Sequence, residues 1–303
     1  MVSRDATVSG TDPATAVFVA HRNLLFTVAY EMLGVAADAE DVLQETWLRW
    51  TTVDLDTVRD RRAYLVRITT RQALTRLRTL RRRKESYVGP WLPEPLLTAP
   101  DVAEDAELAD SVSTAMMLVL ETLGPTERAV FVLREVFGVG YDEIADAVGR
   151  TPAAVRQIAH RARTHVAARR PRDVVSPAET RAALDAFLRA ARTGDLQGLL
   201  DVLAPDVILL SDGGGVTKAV PRPVAGADKV ARLLGAGLSK LAGVDASFEP
   251  AQFNGSPALV IRIGGRLDCV LTVRIDDGRI AGLYFVRNPE KLSRAERETV
   301  VSR

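Results

Sequence analysis

Side chains that could carry acid–base chemistry are few in the C-terminal third of the chain. Asp212 and Asp268 are the carboxylates there that could act as a lone general base. The three histidines, His21, His160 and His165, all precede this part. Their positions exclude a Ser-His-Asp arrangement within it. Asp212 stands before three glycines, where an aspartate more often forms a turn. We therefore predict no catalytic residue and no enzyme.

Metal and thiol chemistry are equally unsupported by the residue types and their spacing. No cluster has the spacing of metal ligands, so we predict no metal and no cofactor. Cys269 is the only cysteine, and its place in an apolar run is typical of a core residue. A chain without a disulfide fits a reducing cytoplasm. We see no signal peptide and no apolar run long enough to span a bilayer, and expect a cytoplasmic protein without a membrane partner.

Charge is balanced overall but unevenly distributed. The 40 Lys and Arg against 39 Asp and Glu leave a net charge of +1. Eleven basic residues and one acid lie between Arg59 and Lys84, and a second basic cluster runs from Arg150 to Arg172. Exposed helices are normally stabilised by pairs of opposite charge. The near absence of acids in the first block therefore indicates binding to a DNA backbone rather than a simply solvated helix face. Its candidate contacts are Arg67, Arg71 and Arg78.

A helix, a glycine turn and a second helix follow one another from Tyr141 to Arg169. Thr151-Pro152 has the composition of a helix start, and apolar residues recur at helical spacing on both helices. The side left exposed on the second helix is basic and carries Gln157. This pattern predicts a recognition helix for the DNA major groove, against the alternative of an ordinary helical hairpin. Its candidate DNA contacts are Thr151, Arg156, Gln157, His160, Arg161 and Arg163.

The elements that position these groups fall into two helical parts and one mixed part. Helices are predicted over 14–32, 38–50, 61–84, 104–123, 126–137, 141–148 and 151–169, with Asp38 as the cap of the second. In the last part we predict helices over 178–193, 196–203 and 224–241. Strands are predicted over 206–211, 216–222, 246–252, 258–263, 267–275 and 280–287. This pattern indicates an α+β unit with a curved antiparallel sheet.

Between the helical parts lies the segment YVGPWLPEP, residues 87–95. Its prolines exclude a regular helix. A flexible spacer would not usually carry Tyr87 and Trp91, so we expect the segment to dock on another part of the protein.

The stretch DAEDVLQETWLRW, the Tyr64-Leu65-x-Arg67 helix and the stretch LGPTERAVFVLREVFGVGYDEIADAVGRTPAAVRQIAHRARTHV resemble a bacterial extracytoplasmic-function (ECF) sigma factor over roughly residues 12–170. The first two segments match the sigma-2 domain and the third matches sigma-4. The resemblance implies core RNA polymerase, through its β′ clamp helices and its β subunit, and promoter DNA as partners. It implies Asp41, Gln44 and Glu45 as polymerase contacts. The basic helix would capture the −10 element, and the last helix would read the −35 element.

YVGPWLPEP and the third part are similar to the sigma-J-like type, which carries a fused SnoaL-like domain of the nuclear-transport-factor-2-like fold. LQGLLDVLAPDVILLSDGGG and the run NPEKL at 288–292 carry this resemblance. The implied domains are sigma-2 (1–86), linker (87–103), helix-turn-helix sigma-4 (104–172) and an α+β SnoaL-like cone domain (173–303). The implied interdomain contacts are Tyr87, Pro90, Trp91, Pro93, Asp212, Gly213, Gly214, Asn288, Pro289, Lys291 and Leu292.

Two functions of different class remain open at this point. The first is a promoter-specificity factor that its own C-terminal domain regulates by fixing sigma-2 relative to sigma-4. The linker would then dock on the C-terminal domain rather than packing locally on sigma-2. The second is a DNA-tethered receptor or a SnoaL-like cyclase or isomerase, with an unidentified small-molecule ligand in the C-terminal pocket.

Overall fold

The computed structural model describes residues 12–99, 106–170, 175–241 and 243–303. The expected domain boundaries near 103 and 172 lie outside these ranges. The first helical unit consists of α1 (Pro13–Leu33), α2 (Ala36–Trp50), a short 3-10 helix (Leu55–Thr57) and α3 (Arg61–Glu85). Trp50 joins two of these helices, because its indole Nε1 donates a 2.7 Å hydrogen bond to the carbonyl of Ala14.

Asp38 does not cap α2, contrary to the prediction. The helix begins two residues earlier, at Ala36, and Glu94 from the linker accepts from the backbone N–H groups of Ala36 and Ala37 at 2.8 and 3.4 Å. These free N–H groups need an acceptor, and a carboxylate is favoured at a helix N-terminus. Asp38 is instead buried and pairs with Arg76 of α3.

The second helical unit consists of α4 (Ala106–Val112), α5 (Thr114–Glu121), α6 (Pro125–Phe131), a π-helical turn (Val132–Val136), α7 (Tyr141–Val148) and α8 (Pro152–Ala167). The prediction of one helix over 104–123 was wrong. The chain breaks at Ser113, whose hydroxyl accepts from the N–H of Met116 at 3.1 Å and starts a new helix.

The C-terminal unit begins with α9 (Pro177–Thr193) and α10 (Leu196–Val202). Its other elements are β1 (Leu203–Asp212), β2 (Val224–Ala225), α11 (Ala227–Ser239), β3 (Ala246–Phe253), β4 (Ser256–Ile263), β5 (Arg266–Asp276), β6 (Arg279–Val286) and α12 (Pro289–Leu292). They form one six-stranded sheet in the order β2-β1-β6-β5-β4-β3, with helices against it. The unit is α+β, as predicted.

Two details of the sheet differ from the prediction. The sheet is mixed rather than antiparallel, because β1 pairs in parallel with β6, the last strand of the chain. The strand expected over 216–222 is absent from this described stretch. Val216 and Thr217 turn back to donate to the carbonyl of Gly213, and Pro221 and Pro223 cannot donate to a ladder. The short β2 therefore begins only at Val224.

The apolar cores do not follow the three predicted domains. One continuous cluster of buried residues extends from α1 to α8 and includes Val301, near the end of the chain. A second cluster lies inside the C-terminal unit, around Leu184 and Phe187. A third joins Leu92 of the linker to Phe253 and Leu292 of the C-terminal unit. The two helical units are therefore packed together as one body. None of the described helices has the length and apolarity to cross a membrane.

Candidate functional surfaces

The acidic face of α2 is exposed to solvent. Asp41, Gln44 and Glu45 lie together on it, while Val42 and Leu43 point into the core. Asp41 forms a 2.9 Å ion pair with Arg76 of α3. Beside this face is a groove of about 410 Å³, and it is lined by Phe18, Arg22, Glu40, Asp41, Leu43, Gln44, Trp47 and Arg294. The groove thus combines apolar side chains with two acidic and two basic residues, and Arg22 pairs with Glu40 at 2.7 Å.

The basic helix α3 begins at an Asp60 cap and buries Leu65, Leu74 and Leu77. Its three candidate DNA residues lie in different settings. Arg67 is half-buried and its guanidinium stacks 4.6 Å from the centre of the Tyr64 ring. Arg78 is exposed. Arg71 donates a 2.6 Å hydrogen bond to the backbone carbonyl of Asp146 on α7. This side chain therefore joins the two helical units.

Helix α8 presents a basic surface on a well-anchored scaffold. Val155, Ala159, Ala162 and Val166 are buried on one side. The candidate residues on the other side are all exposed, and they are Arg156, Gln157, His160, Arg161 and Arg163. Thr151 caps the helix by accepting from Ala154 N at 3.3 Å. Arg163 pairs with Glu135 at 2.9 Å.

The run DGGG at 212–215 and the run NPEKL at 288–292 meet at the linker. Asp212 is fully buried and forms a 2.7 Å ion pair with Lys291. It also accepts from the Tyr87 hydroxyl at 2.6 Å and from the backbone N–H of Leu92 at 2.9 Å. Asn288 donates to the same hydroxyl at 2.8 Å. These contacts join the linker to both runs.

The pKa values of this cluster reflect its burial. Desolvation lowers the pKa of Lys291, and the neighbouring Asp212 opposes that shift. Burial and the hydrogen bond to Asp212 raise the pKa of Tyr87. Asp212 receives a further hydrogen bond from Gly214 N at 3.1 Å, so both carboxylate oxygens already have donors. The arrangement is that of a structural ion pair rather than of a general base.

The other predicted interdomain residues surround this cluster. Pro93, Leu292 and Gly213 are buried, Pro90 is half-buried, and Pro289 is exposed at the start of α12. A Cβ on Gly214 would lie 2.5 Å from the side chain of Asn288, and this glycine has a φ of 64°. The position therefore requires glycine.

Trp91 contacts both the first helical unit and the C-terminal unit. The Nζ atoms of Lys84 and Lys291 lie 3.3 and 4.2 Å from the centre of its ring. Its far edge packs on Gly34, where a Cβ would lie 2.7 Å from the ring. Burial lowers the pKa of Lys84 to about 8, although Glu121 opposes the shift. The linker therefore packs on the first helical unit and on the C-terminal unit at once.

Other candidates for chemistry in the C-terminal unit have structural partners. Asp268 forms a 2.9 Å ion pair with Arg287. Cys269 is buried in β5, and burial raises the pKa of its thiol. Within the described ranges there is no group of three or more His, Cys, Asp or Glu side chains that could hold a metal ion.

Comparison with known proteins finds two family models that match parts of the chain and relatives that match over nine-tenths of it. Residues 17–83 match Sigma-70 region 2, and residues 113–166 match Sigma-70 region 4. The ECF RNA polymerase sigma factor SigJ of Mycobacterium tuberculosis H37Rv is 35% identical over 297 residues, which cover 91% of this chain and 92% of SigJ. The probable ECF RNA polymerase sigma factor SigI of the same species is 33% identical over 93% of this chain and 95% of SigI. The chain belongs to the ECF RNA polymerase sigma factors.

A solved structure agrees with this assignment across the whole sigma factor. The crystal structure of M. tuberculosis SigJ is similar at a TM-score of 0.74 and 33% identity, covering 92% of this chain and 98% of that one. In this sigma factor, helices α1–α3 contain the region 2 match and helices α5–α8 contain the region 4 match. The name region 4 is used for the whole second helical unit, which adds α4 to the matched residues. The C-terminal unit has the α+β organisation expected for a SnoaL-like domain, with six strands in one sheet and flanking helices.

Regions 2 and 4 of the sigma factor are in direct contact through buried polar groups. Glu31 of α1 is fully buried and accepts from the Ser111 hydroxyl of α4 at 2.8 Å. Arg128 of α6 donates to the backbone carbonyl of Glu31 at 2.8 Å and pairs with Glu121. Burial raises the pKa of Glu31 to about 8, against the opposing effects of Ser111 and Arg128. Burial between the two regions therefore favours the protonated form of this carboxyl.

Several interdomain residues escaped the sequence analysis. Lys84 was seen only as part of a basic run, and Glu94 only as part of the linker. Glu31 is the one charged residue in the mostly apolar stretch from Leu24 to Leu33. Asn254 lies in an Asn-Gly pair between two predicted strands, which is a strong signal for a hairpin turn but not for an interface.

Proposed function

We propose that this ECF sigma factor directs core RNA polymerase to promoters and that its C-terminal unit regulates it by holding regions 2 and 4 together. Asp41, Gln44 and Glu45 would bind the β′ clamp helices, and region 4 would approach the β subunit. Arg67, Arg71 and Arg78 would contact DNA at the −10 element. The exposed residues of α8, with Thr151 at its start, would read the −35 element. Such a protein acts in the cytoplasm, where the polymerase is.

The observation that carries the regulatory part is the hydrogen bond from Arg71 to Asp146. It joins the −10 helix of region 2 to the helix-turn-helix of region 4 across 2.6 Å. Elements ~25 base pairs apart lie on the order of 80 Å from one another along B-DNA. The packed arrangement therefore cannot span both elements, and the two regions must separate before the promoter is bound. Arg71 would leave Asp146 in that step.

The linker supports the proposal because it connects all three units. Tyr87 and Leu92 bind the Asp212–Lys291 pair, Trp91 packs on Gly34, and Glu94 caps α2. A segment with prolines loses little conformational entropy on docking. The proposed domain boundaries remain 1–86, 87–103, 104–172 and 173–303. The chain would then need no separate protein to keep the two regions together.

Run-off transcription with core RNA polymerase on the protein's own promoter tests the proposal. The proteins compared are the full chain, a chain that ends at Pro289 and a chain that ends at Arg172. We expect the shorter proteins to give more transcript at equal amounts of bound polymerase. A full chain that is the most active of the three would contradict inhibition by the C-terminal unit. Absence of transcript from all three would contradict promoter function.

A further inference from the structure

The turn between β3 and β4 lies in an unusual place for a hairpin turn. Asn254 and Gly255 form it with φ values of 53° and 69°, the left-handed pair that favours Asn-Gly in two-residue hairpins. Turn residues normally lie at the surface. Asn254 is only 1% exposed, because the tip of the hairpin enters the space between region 2, the linker and region 4.

Asn254 makes hydrogen bonds to three separate parts of the protein. Its Nδ2 donates to the Tyr30 hydroxyl of α1 at 2.7 Å and to the carbonyl of Val112 on α4 at 3.0 Å. Its Oδ1 accepts from Leu96 N of the linker at 3.1 Å, and its own N–H donates to Leu96 O at 2.8 Å. One buried side chain of the C-terminal unit thus joins region 2, region 4 and the linker.

The β3–β4 turn packs closely against α4 and the linker. A Cβ on Gly255 would lie 2.6 Å from Cα of Ala109 on α4, which is too short for any side chain. The N–H of Gly255 donates to the Thr98 hydroxyl at 3.1 Å, and Thr98 N donates to Gln252 O at 3.0 Å. Tyr30, the region 2 partner of Asn254, donates to the linker carbonyl of Glu94 at 2.8 Å.

The hairpin between β5 and β6 shows that this burial is not needed to form such a turn. Asp277 and Gly278 there have φ values of 47° and 70°, nearly the same backbone conformation. Both residues are exposed, and a Cβ on Gly278 would meet nothing within 4 Å. The contacts of Asn254 and Gly255 therefore serve the interface between units, and the second hairpin provides a matched control for the cost of the turn itself.

We propose that the β3–β4 turn is a second interdomain lock, distinct from the Asp212–Lys291 pair. It ties region 2 to region 4 by binding Tyr30 on one side and Val112 with Ala109 on the other. The Asp212–Lys291 pair, in contrast, holds the linker near Tyr87 and Leu92. Release of the hairpin tip is then a necessary step in separating the two regions. Only the consequence for transcription rests on the proposed function.

Hydrogen exchange of the full chain tests the lock without relying on transcription. The variants are Asn254→Ala and Gly255→Ala, with Asp277→Ala and Gly278→Ala as controls that carry the same backbone cost. Tyr30→Phe is a milder variant, which removes the hydroxyl that accepts from Asn254 and donates to the carbonyl of Glu94. We expect amides of α4 and of Leu96 and Thr98 to exchange at least tenfold faster in the first two variants, and severalfold faster in Tyr30→Phe. The control variants should leave these rates unchanged, and amides of β5 and β6 report whether the sheet stays folded.

Equal rates in Gly255→Ala and Gly278→Ala would overturn the lock, as would unchanged exchange in Tyr30→Phe. Run-off transcription with the same proteins then separates the two proposals. Faster exchange together with more transcript supports both. Faster exchange with unchanged transcript supports the lock and contradicts regulation by the C-terminal unit.

Discussion

Asp212 and Lys291 form a buried ion pair where the linker enters the C-terminal unit. Their charged atoms are 2.7 Å apart, and their side chains are 0% and 8% exposed. The carboxylate lies at the end of β1 and the ammonium lies on α12, so the pair joins the first and last elements of the sheet region to the linker. Without this pair, the backbone N–H and carbonyl of Leu92 would lose the polar partners that hold the linker there.

Replacing Asp212 by asparagine should destabilise the full chain strongly. A buried charge left without its partner costs ~3–5 kcal/mol, and Lys291 would be such a charge. Urea unfolding of the full chain measures the effect. Asp206→Asn is the matched control, because Asp206 is exposed on the same strand. An equal decrease in the free energy of unfolding for the two variants would mean that the Asp212–Lys291 pair does not stabilise the protein specifically.

Stability should depend on pH through Glu31. Burial between regions 2 and 4 raises its pKa from 4.5 to about 8. Between these values the folded state holds a proton that the unfolded state releases, so the free energy of unfolding falls as pH rises. The contribution is fully present below pH 4.5 and is lost as pH rises through about 8. The slope from one such group is at most about 1.4 kcal/mol per pH unit.

Chemical unfolding at several pH values between 5 and 9 measures this dependence. Glu31→Gln should flatten it, because glutamine keeps an acceptor for Ser111 and does not ionise. The groups facing Glu31 are Ser111, Arg128 and Asp110. Glu143→Gln on α7 is the control, since Glu143 is exposed. An unchanged slope in Glu31→Gln would show that Glu31 does not titrate in this range.

Promoter reading by α8 should depend on Gln157 and Arg156. Loss of a side chain that contacts a base edge costs ~1–3 kcal/mol and relaxes specificity at that position. We expect Gln157→Ala and Arg156→Ala to weaken transcription from the native −35 sequence by roughly tenfold or more. A set of promoters with single base changes measures the specificity. Arg181→Ala changes an exposed residue of α9 in the C-terminal unit and should leave transcription unchanged. An equal loss of transcription in this variant would mean that overall positive charge, and not base contacts by α8, determines the effect.

Binding of core polymerase should depend on the acidic face of α2. Glu45→Lys reverses a charge at an exposed position and should weaken binding by roughly tenfold, about 1.4 kcal/mol. Titration of labelled core enzyme with the sigma factor measures the affinity in low and moderate salt. Asp185→Lys on α9 makes the same change of net charge elsewhere on the surface. A loss of affinity in both variants alike would place the polymerase contact outside α2.

The elements of this protein differ in how far the sequence predicts them. The helix-turn-helix was predictable because its cap at Thr151, its glycine turn and its apolar stripe are all local signals. The parallel pairing of β1 with β6 was not predictable, since the two strands are distant in sequence. The apolar pattern over 206–211 does not indicate whether a strand pairs in parallel or antiparallel. The break at Ser113 depends on a single side-chain cap inside a helical pattern.

The interdomain contacts were predictable only in part, for the same physical reason. Asp212 and Lys291 were chosen through resemblance, and their spacing of many residues carries no signal of contact. Asn254 has the composition of a surface turn, and only the packing of three units around it makes it a buried residue. Glu31 lies in the buried second half of α1, and its partner Ser111 is 80 residues away along the chain.

The distance between regions 2 and 4 is the most direct test of the account. Cys269 is buried, so spin labels on Thr57→Cys and Ala167→Cys, both exposed positions, mark the two regions. Pulsed electron–electron double resonance then measures the distance between the two spin labels in the free chain and in the complex with core polymerase and promoter DNA. We predict one short, narrow distribution in the free chain, a much longer distance in the complex, and a partial shift to longer distances in free Asp212→Asn. The same short distance in the complex would contradict the claim that the C-terminal unit holds the sigma factor in a closed form that opens on the promoter.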